Sequence, residues 1–485
     1  MDRAADGLAA DAGLYLASAA FALVTGLTST LLPHRAWGLM ATWAYAAALA
    51  VVVLQLLLLP ATDTVRRSGT LRRIAGRMAL TWVAWAGAAL VPLVVEAVQR
   101  AEGRTDRAQD EVIVVEQMGE RLLHTGTPYL GPDAIAALPP GEQLLGYSPY
   151  QPGMAVFGLP RALAGDGWWT DARVWFAAVT AAALVAAVSA LRTNGASSSA
   201  GTLTTLRTTG ADGRSSSASP ALPQPTTDAD GRTSAPSAAV PQPTTDADGR
   251  STAAGERGRG GQPALVRALQ FATVLPICAL TLATGGDDLP VLALCLLALA
   301  WCAIDRFGAA GVAVGAAAAC KLFAFPVVAV LAALAIATGR GRRLLPGALG
   351  LPILVLIPPL LVNSDAFVEN VIRFPLGHGI VQSPAQSPFP GYLISTVVPG
   401  GRHIAAALLV AVAAAIAVVL VRRPPRTAAT AALFCGYGLL AAILLMPTTR
   451  FGYLLYPIAM LVWAPALRNP TGIAALRGDP ALYRV

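Results

Sequence analysis

Apolar residues in this chain fall in long unbroken runs, not in the alternation of a half-buried strand or the stripe of a surface helix. A bilayer crossing needs about 20 such residues. Runs at 12–32, 37–60, 78–98, 171–191, 267–284, 289–304, 344–362, 403–421, 427–446 and 453–467 reach that length or approach it. The run at 308–338 is too long for one crossing, and Lys321 and Pro326 fall near its middle. It predicts two short helices meeting there, because proline cannot continue a helix through its own first turn. The pattern therefore predicts an all-α, polytopic membrane protein of about 12 spans. The first run follows a mixed-charge start (Asp2, Arg3, Asp6, Asp11) and leads at once into a second run. It reads as a span and not as a cleavable signal peptide.

Composition agrees with the pattern. Of 485 residues, 55% are hydrophobic and 13% charged, about half the charged share of a soluble chain. So little charge cannot clothe a water-soluble surface around so much apolar mass, which excludes a soluble globular protein. The net charge of +8 rests on 35 basic residues, of which one, Lys321, is lysine. In a soluble chain that balance would point to nucleic acid. Here the arginines gather at Arg66, Arg67, Arg72, Arg73 and Arg77, at Arg340, Arg342 and Arg343, at Arg422, Arg423 and Arg426, and at Arg468, Arg477 and Arg484. Placing these clusters on the cytoplasmic side puts both termini inside. It leaves 99–170, 363–402, the turn 447–452 and the acidic turn at Asp287 and Asp288 outside, with no nucleic-acid partner expected. The parity requires that 152–165, with Pro160 and Arg161 inside it, does not span and forms a re-entrant or interfacial segment.

Residues 192–262 break the apolar pattern with Ser, Thr, Gly, Pro and Ala, and the string PQPTTDADGR at 223–232 recurs at 241–250. Such a composition buries too little apolar area to fold, so it reads as a disordered cytoplasmic linker. It separates an N-terminal half (1–191) from a C-terminal half (263–468), which a tail (469–485) follows. The five cysteines all lie within predicted spans and read as small apolar side chains, giving no disulfide framework and no metal site.

The chemistry is expected on the outer face. From Asp110 to Leu123 the apolar positions Val112, Val115, Met118 and Leu122 follow helical spacing, with Gly126 and Pro128 as the stop. This predicts an amphipathic helix lying on the bilayer, with Asp110 and Glu111 in its first turn. Those carboxylates suit the helix dipole, and a capping role stands beside a catalytic one. The stretch Tyr147-Ser148-Pro149-Tyr150-Gln151-Pro152 offers aromatic faces either as interfacial anchors or as walls for a sugar. Cations on the same face are Arg373 and Arg450, each with the fork geometry that suits a phosphate; His378 lies near the first. Lys321 is an ionisable group within a span and is by default a functional residue, with an ion pair to Asp305 or Glu96 as the alternative.

These motifs together resemble the GT-C glycosyltransferases, and more narrowly the glycosyltransferase family 87 group of actinobacteria. In that group an acidic residue opens an outer helix (Asp110 or Glu111), a G-x-P-Y ends it (Gly126 to Tyr129), and a tyrosine- and proline-rich stretch follows (Tyr147 to Pro152). A K-x-x-x-x-P within a span (Lys321 to Pro326) and an R-F-x-Y-L-x-Y-P near the last one (Arg450 to Pro457) complete the order. The resemblance covers 78–191 and 267–467. The family's acid usually follows the first span, and here it follows the third.

The resemblance implies an inverting, metal-independent transfer of mannose or another hexose or pentose from a polyprenyl-phosphate donor. The acceptor would be a lipid or glycan of the cell envelope, membrane lipid would surround the site, and no cofactor would take part. Asp110 or Glu111 would deprotonate the acceptor hydroxyl, with His378 sharing the proton. Arg450, Arg373 and Lys321 would hold the donor phosphate, while Tyr147, Tyr150, Asp287 and Asp288 would contact sugar or acceptor. A membrane transporter or lipid-linked-sugar flippase is the rival reading. It calls for inverted repeats and mid-membrane polar groups, and no repeat relates the two halves.

Overall fold

A computed structural model describes residues 7–58, 75–209 and 261–468. Within them the backbone is helical almost throughout, and its one strand-like feature is an isolated bridge between Gln386 and Thr449. Of the described residues, 7–58, 75–192 and 261–468 belong to one compact unit. The central part of the expected linker (210–260) and the tail (469–485) lie outside the described residues. The Ala172–Thr209 helix carries regular backbone to its last residue.

Seven described helices are long and apolar enough to cross a membrane: Leu8–Thr28, Leu32–Leu57, Ala75–Ala101, Ala172–Thr193, Gly341–Val362, Gly401–Arg422 and Ala428–Leu445. An eighth is a pair, Pro263–Thr273 and Pro276–Thr284, bent by 42°. Four shorter apolar helices, Asp288–Ala303, Phe307–Cys320, Leu322–Ala337 and Phe451–Leu467, occupy the remaining runs. The chain is thus an all-α, multi-pass membrane protein, and every apolar run in the described residues became helix. Seven or eight of them have full spanning length; the short ones owe their length to breaks that the sequence marks.

Each break frees backbone groups, and in an apolar surrounding each freed group must find a partner. A π-turn at Ala86–Leu90 sends the Ala88 carbonyl to the Trp37 indole N–H at 2.7 Å. At the 42° bend, Pro276 opens the second half-helix, and the Val274 carbonyl accepts from the Tyr45 hydroxyl at 2.7 Å. At Lys321 the backbone turns extended (φ −151°, ψ 142°). The Cys320 carbonyl there accepts from the Gln151 N–H at 3.1 Å, so a loop far upstream caps the broken helix. The two short helices expected around Lys321 and Pro326 are those of Phe307–Cys320 and Phe325–Ala337.

Residues 152–165 do not span. They form a 3-10 turn, Pro152–Phe157, and a short helix, Leu159–Ala164, docked against that break. Gly153 lies so close to it that a Cβ would stand 2.5 Å from the Ala319 carbonyl oxygen.

Candidate functional site

Asp110–Thr125 forms the expected outer helix, ended by Gly126 in the left-handed region (φ 74°), where its N–H bonds the Leu122 carbonyl. Glycine is the residue for that conformation. The apolar stripe is covered by protein and not by lipid, since Val112, Val115 and Met118 are fully buried. Gly119 and Gly158 allow this contact: a Cβ on Gly119 would lie 2.3 Å from the Gly158 carbonyl carbon, and one on Gly158 would lie 2.1 Å from the Val115 oxygen. The start of the helix is anchored as well. Gln109 donates its N–H to the Thr284 carbonyl at 3.0 Å, accepts from the Thr284 hydroxyl at 3.1 Å, and places its amide nitrogen 2.8 Å from the His34 ring nitrogen. The His34 nitrogen must then act as the acceptor, because an amide nitrogen only donates.

This anchoring brings Glu111 into an ion pair with Arg450. Asp110, one residue earlier, is exposed, and its side chain makes no hydrogen bond or ion pair among the described residues. The burial it has, together with the charge of Glu111, raises its carboxyl above the usual value, and Arg450 pulls the other way.

A second ionic group lies beside the first. Lys321 Nζ sits 2.7 Å from Asp287 Oδ2 and 2.5 Å from Asp288 Oδ1, with all three residues buried. The Tyr456 hydroxyl donates to Asp288 Oδ1 at 2.8 Å. The rings of Tyr150 and Tyr453 face the ammonium at 5.3 and 5.7 Å, a cation–π arrangement. Tyr150 and Tyr453 are also electrostatic neighbours of Arg450. The two tyrosines are thus neighbours of both the Arg450 side chain and the Lys321 group. Five separated pieces of chain converge here: the start of the outer helix, the tyrosine-proline loop, the Asp287-Asp288 turn, the Lys321 break, and the opening of the last helix.

The partners expected for Lys321 are elsewhere. Glu96 pairs with the fully buried Arg173 at 3.3 Å, and Asp305 pairs with Arg340 at 2.9 Å. Asp287 and Asp288 are not exposed turn residues; Lys321 has drawn them inward, because a buried ammonium needs carboxylates at hand.

Tyr147, Arg373 and His378 form a different group. Tyr147 stacks on Phe374 (4.1 Å between centroids, 17° between planes), donates to Glu369 Oε1 at 2.7 Å and accepts from the Ile380 N–H at 2.7 Å. Burial and the neighbouring Glu369 push its hydroxyl up to about 12. Arg373 reaches Glu369 at 3.4 Å and is 61% exposed. His378 is exposed, with its N–H on the Arg373 carbonyl. None of the three contacts Asp110 or Glu111. The loop itself is held by the GTPY motif, whose Tyr129 hydroxyl donates to the Tyr150 carbonyl at 2.7 Å, and by Asn370 Oδ1, which accepts from the Ser148 N–H at 2.7 Å.

Arg100, Glu116, Asp171 and Arg173 make a further network that fixes the outer segment to the start of the Ala172–Thr209 helix. Burial acts to raise the Asp171 carboxyl, but Arg173 and Arg100 outweigh it and hold it at about 2. Among the described residues, no three His, Cys, Asp or Glu side chains cluster as a metal site would require.

Sequence reasoning did not single out Tyr453 and Tyr456 as site residues. Their spacing within the R-F-x-Y-L-x-Y-P stretch was the available signal. Gln109 and His34 carried none.

Residues 245–447 match the family model of glycosyltransferase family 87. The match takes in Asp287, Asp288, Lys321, Arg373 and His378 and stops short of Arg450; the outer segment with Asp110 and Glu111 precedes it. No curated protein matches the chain. Among solved structures the chain is similar to ArnT from Cupriavidus metallidurans bound to undecaprenyl phosphate, at 16% identity and a TM-score of 0.42. It covers 82% of this chain and 61% of that one. The apo state of the same protein matches with 16% identity, a TM-score of 0.41 and coverages of 82% and 62%. The chain spans about three-fifths of the length of those structures.

Proposed function

We propose, from the match of residues 245–447 to the glycosyltransferase family 87 model, that the chain is an integral-membrane glycosyltransferase. In this reading it moves a sugar from a polyprenyl-phosphate donor to a lipid or glycan acceptor at the outer face, with both termini cytoplasmic. The observation that carries the reading is the placement of a carboxylate with no partner among the described residues, Asp110, next to a carboxylate–guanidinium pair, Glu111–Arg450.

Asp110 acts as the general base. It takes the proton of the acceptor hydroxyl as that oxygen attacks the anomeric carbon, and the bond from that carbon to the phosphate oxygen breaks on the opposite side. The electron pair leaves with the polyprenyl phosphate, and the configuration inverts. Glu111 is occupied by Arg450 and is the poorer base. Arg450 has donors beyond the one given to Glu111 and is 39% exposed, so it meets the charge that develops on the leaving phosphate. Glu111 holds that guanidinium in orientation.

Lys321 has two carboxylate partners already, and a phosphate reaching it would displace one. We therefore assign Lys321 to holding Asp287 and Asp288 and to fixing the Tyr150 and Tyr453 rings as walls for the sugar. Arg373 and His378 belong in this reading to the acceptor side, beyond Tyr147.

The test is a transfer assay with a polyprenyl-phosphate sugar donor. Asp110→Asn should lose at least about 100-fold in rate, while Glu111→Gln keeps most of the activity. Full activity in Asp110→Asn would overturn the assignment of the base.

A further inference from the structure

The buried and half-buried arginines of the outer segment have acidic partners, with one exception. Arg100, Arg107, Arg161, Arg173 and Arg450 each lie against an aspartate or glutamate. Arg121 does not. It is half-buried, and its guanidinium donates to the Ser148 hydroxyl at 3.2 Å and to the Gln117 carbonyl oxygen at 2.8 Å. Both partners are neutral, and among the described residues no carboxylate lies within ion-pair distance. Burial lowers its pKa to about 10, with Glu120 acting weakly against the shift. A cation held partly out of water without a counter-charge is unfavourable, and nothing in the packing around it supplies one.

The remaining hydrogen-bonding capacity there is of one kind. Gln117 spends its oxygen on Arg121, so its amide N–H groups are left as donors, and the guanidinium has further N–H groups of its own. The Ser148 oxygen steadies the fork, and the Ser148 N–H is already fixed by Asn370. Such a set of donors around an unpaired positive charge selects an oxyanion, and the planar fork matches a phosphate. Its position relative to Asp110 follows from the helix. Eleven residues at about 100° each bring Arg121 back onto the stripe of Asp110, about 16 Å further along the axis.

We propose that Arg121 and Gln117 bind a phosphate group carried by the acceptor, held along the outer helix from the base at Asp110. The acceptor is then an anionic molecule several sugar units or a comparable spacer in length, laid along the Asp110–Thr125 helix. This rests on the transferase reading above for the word acceptor, but the anion site itself does not.

The experiment uses the full chain purified in a phosphate-free maltoside detergent. Modification of Arg121 by phenylglyoxal is followed by peptide mass spectrometry with and without inorganic phosphate. Phosphate should slow that modification about tenfold in the wild type and equally in Arg450→Gln, which separates this site from the donor end. An unchanged rate overturns the site, whether or not the protein proves to be a transferase. Protection by added phosphatidylglycerol, with none by inorganic phosphate, overturns the acceptor assignment in favour of a bilayer headgroup. In the transfer assay Arg121→Gln should raise the acceptor KM about tenfold with donor KM unchanged, and Arg121→Lys should recover part of the loss. An equal fall in kcat with both KM values unchanged would show a structural role instead.

Discussion

Glu111 and Arg450 stand 339 positions apart and form one ion pair, while the side chain of Asp110, next to Glu111 in the chain, is exposed and has no partner among the described residues. Two adjacent carboxylates thus have separate environments from a single arginine. In the proposed transfer, with Asp110 as the base, the division sets the acid limb of the rate. Asp110 must be ionised to take a proton, so the rate falls as pH drops through its raised pKa. In Glu111→Gln a like charge disappears and Arg450 is left free to favour the Asp110 carboxylate, which moves the limb to lower pH. In Arg450→Gln the opposing cation is gone and Glu111 is unpaired, which moves it to higher pH. Rate–pH profiles of the two variants should shift in opposite directions.

In the proposed transfer Arg450 also has a task that a point charge does not fulfil. Arg450→Lys keeps the charge and loses the fork that serves Glu111 and a phosphate together. A charged hydrogen bond contributes about 1.5–3 kcal/mol, so the donor KM should rise by about 10- to 100-fold in Arg450→Lys and Arg450→Gln alike. Steady-state kinetics against the donor measures it; a lysine variant with wild-type donor KM would show that charge alone suffices.

The Lys321 group predicts an asymmetry in stability. Lys321→Met leaves Asp287 and Asp288 buried 2.7 and 2.5 Å from a position that no longer carries charge, and breaking a buried pair costs about 3–5 kcal/mol. Asp287→Asn leaves Lys321 and Asp288 paired one to one and should cost much less. Thermal unfolding in detergent should rank the wild type first, Asp287→Asn close behind and Lys321→Met far below. Combining Lys321→Met with Asp287→Asn and Asp288→Asn should recover part of the loss.

Gly119 and Gly158 set how closely the outer helix approaches the 152–164 segment. A methyl group at either position would overlap backbone at 2.3 or 2.1 Å, which no side-chain rotation relieves. Gly119→Ala should shift the helix carrying Asp110 and Glu111, and misplacement by about 1 Å is enough to lower a rate about 100-fold. The expected pattern is a protein that purifies and melts cooperatively, with transfer reduced far more than Tm.

What the sequence made legible is what depends on near neighbours. The apolar runs became helices because burial in lipid or in protein asks for the same residues, and the break at Lys321 fell where the chain chemistry put it, whereas the 42° bend before Pro276 divides a run, 267–284, that reads as one span. The outer helix began at Asp110 and ended at Gly126 for equally local reasons. That same equivalence hid the surroundings of its apolar face: Val112, Val115 and Met118 suit a bilayer surface as well as they suit the protein that covers them. Partners were less legible still. Lys321 was marked as unusual by its place in a span, but its choice of Asp287 and Asp288 over Asp305 or Glu96 depends on how helices pack. Tyr147 and Tyr150 look alike in one short motif, yet on either side of Pro149 one reaches Glu369 and the other faces Lys321.

The loop that caps the Cys320 carbonyl and the arginine that meets Glu111 come from opposite ends of synthesis. Contacts of such long sequence separation form late. Residues 110 and 111 leave the ribosome long before residue 450, so for most of its synthesis the chain holds Glu111 without Arg450. On the proposed reading, Arg450 takes its place beside Glu111 only when the last helix has been made, so a donor phosphate meets its full site only in the finished chain.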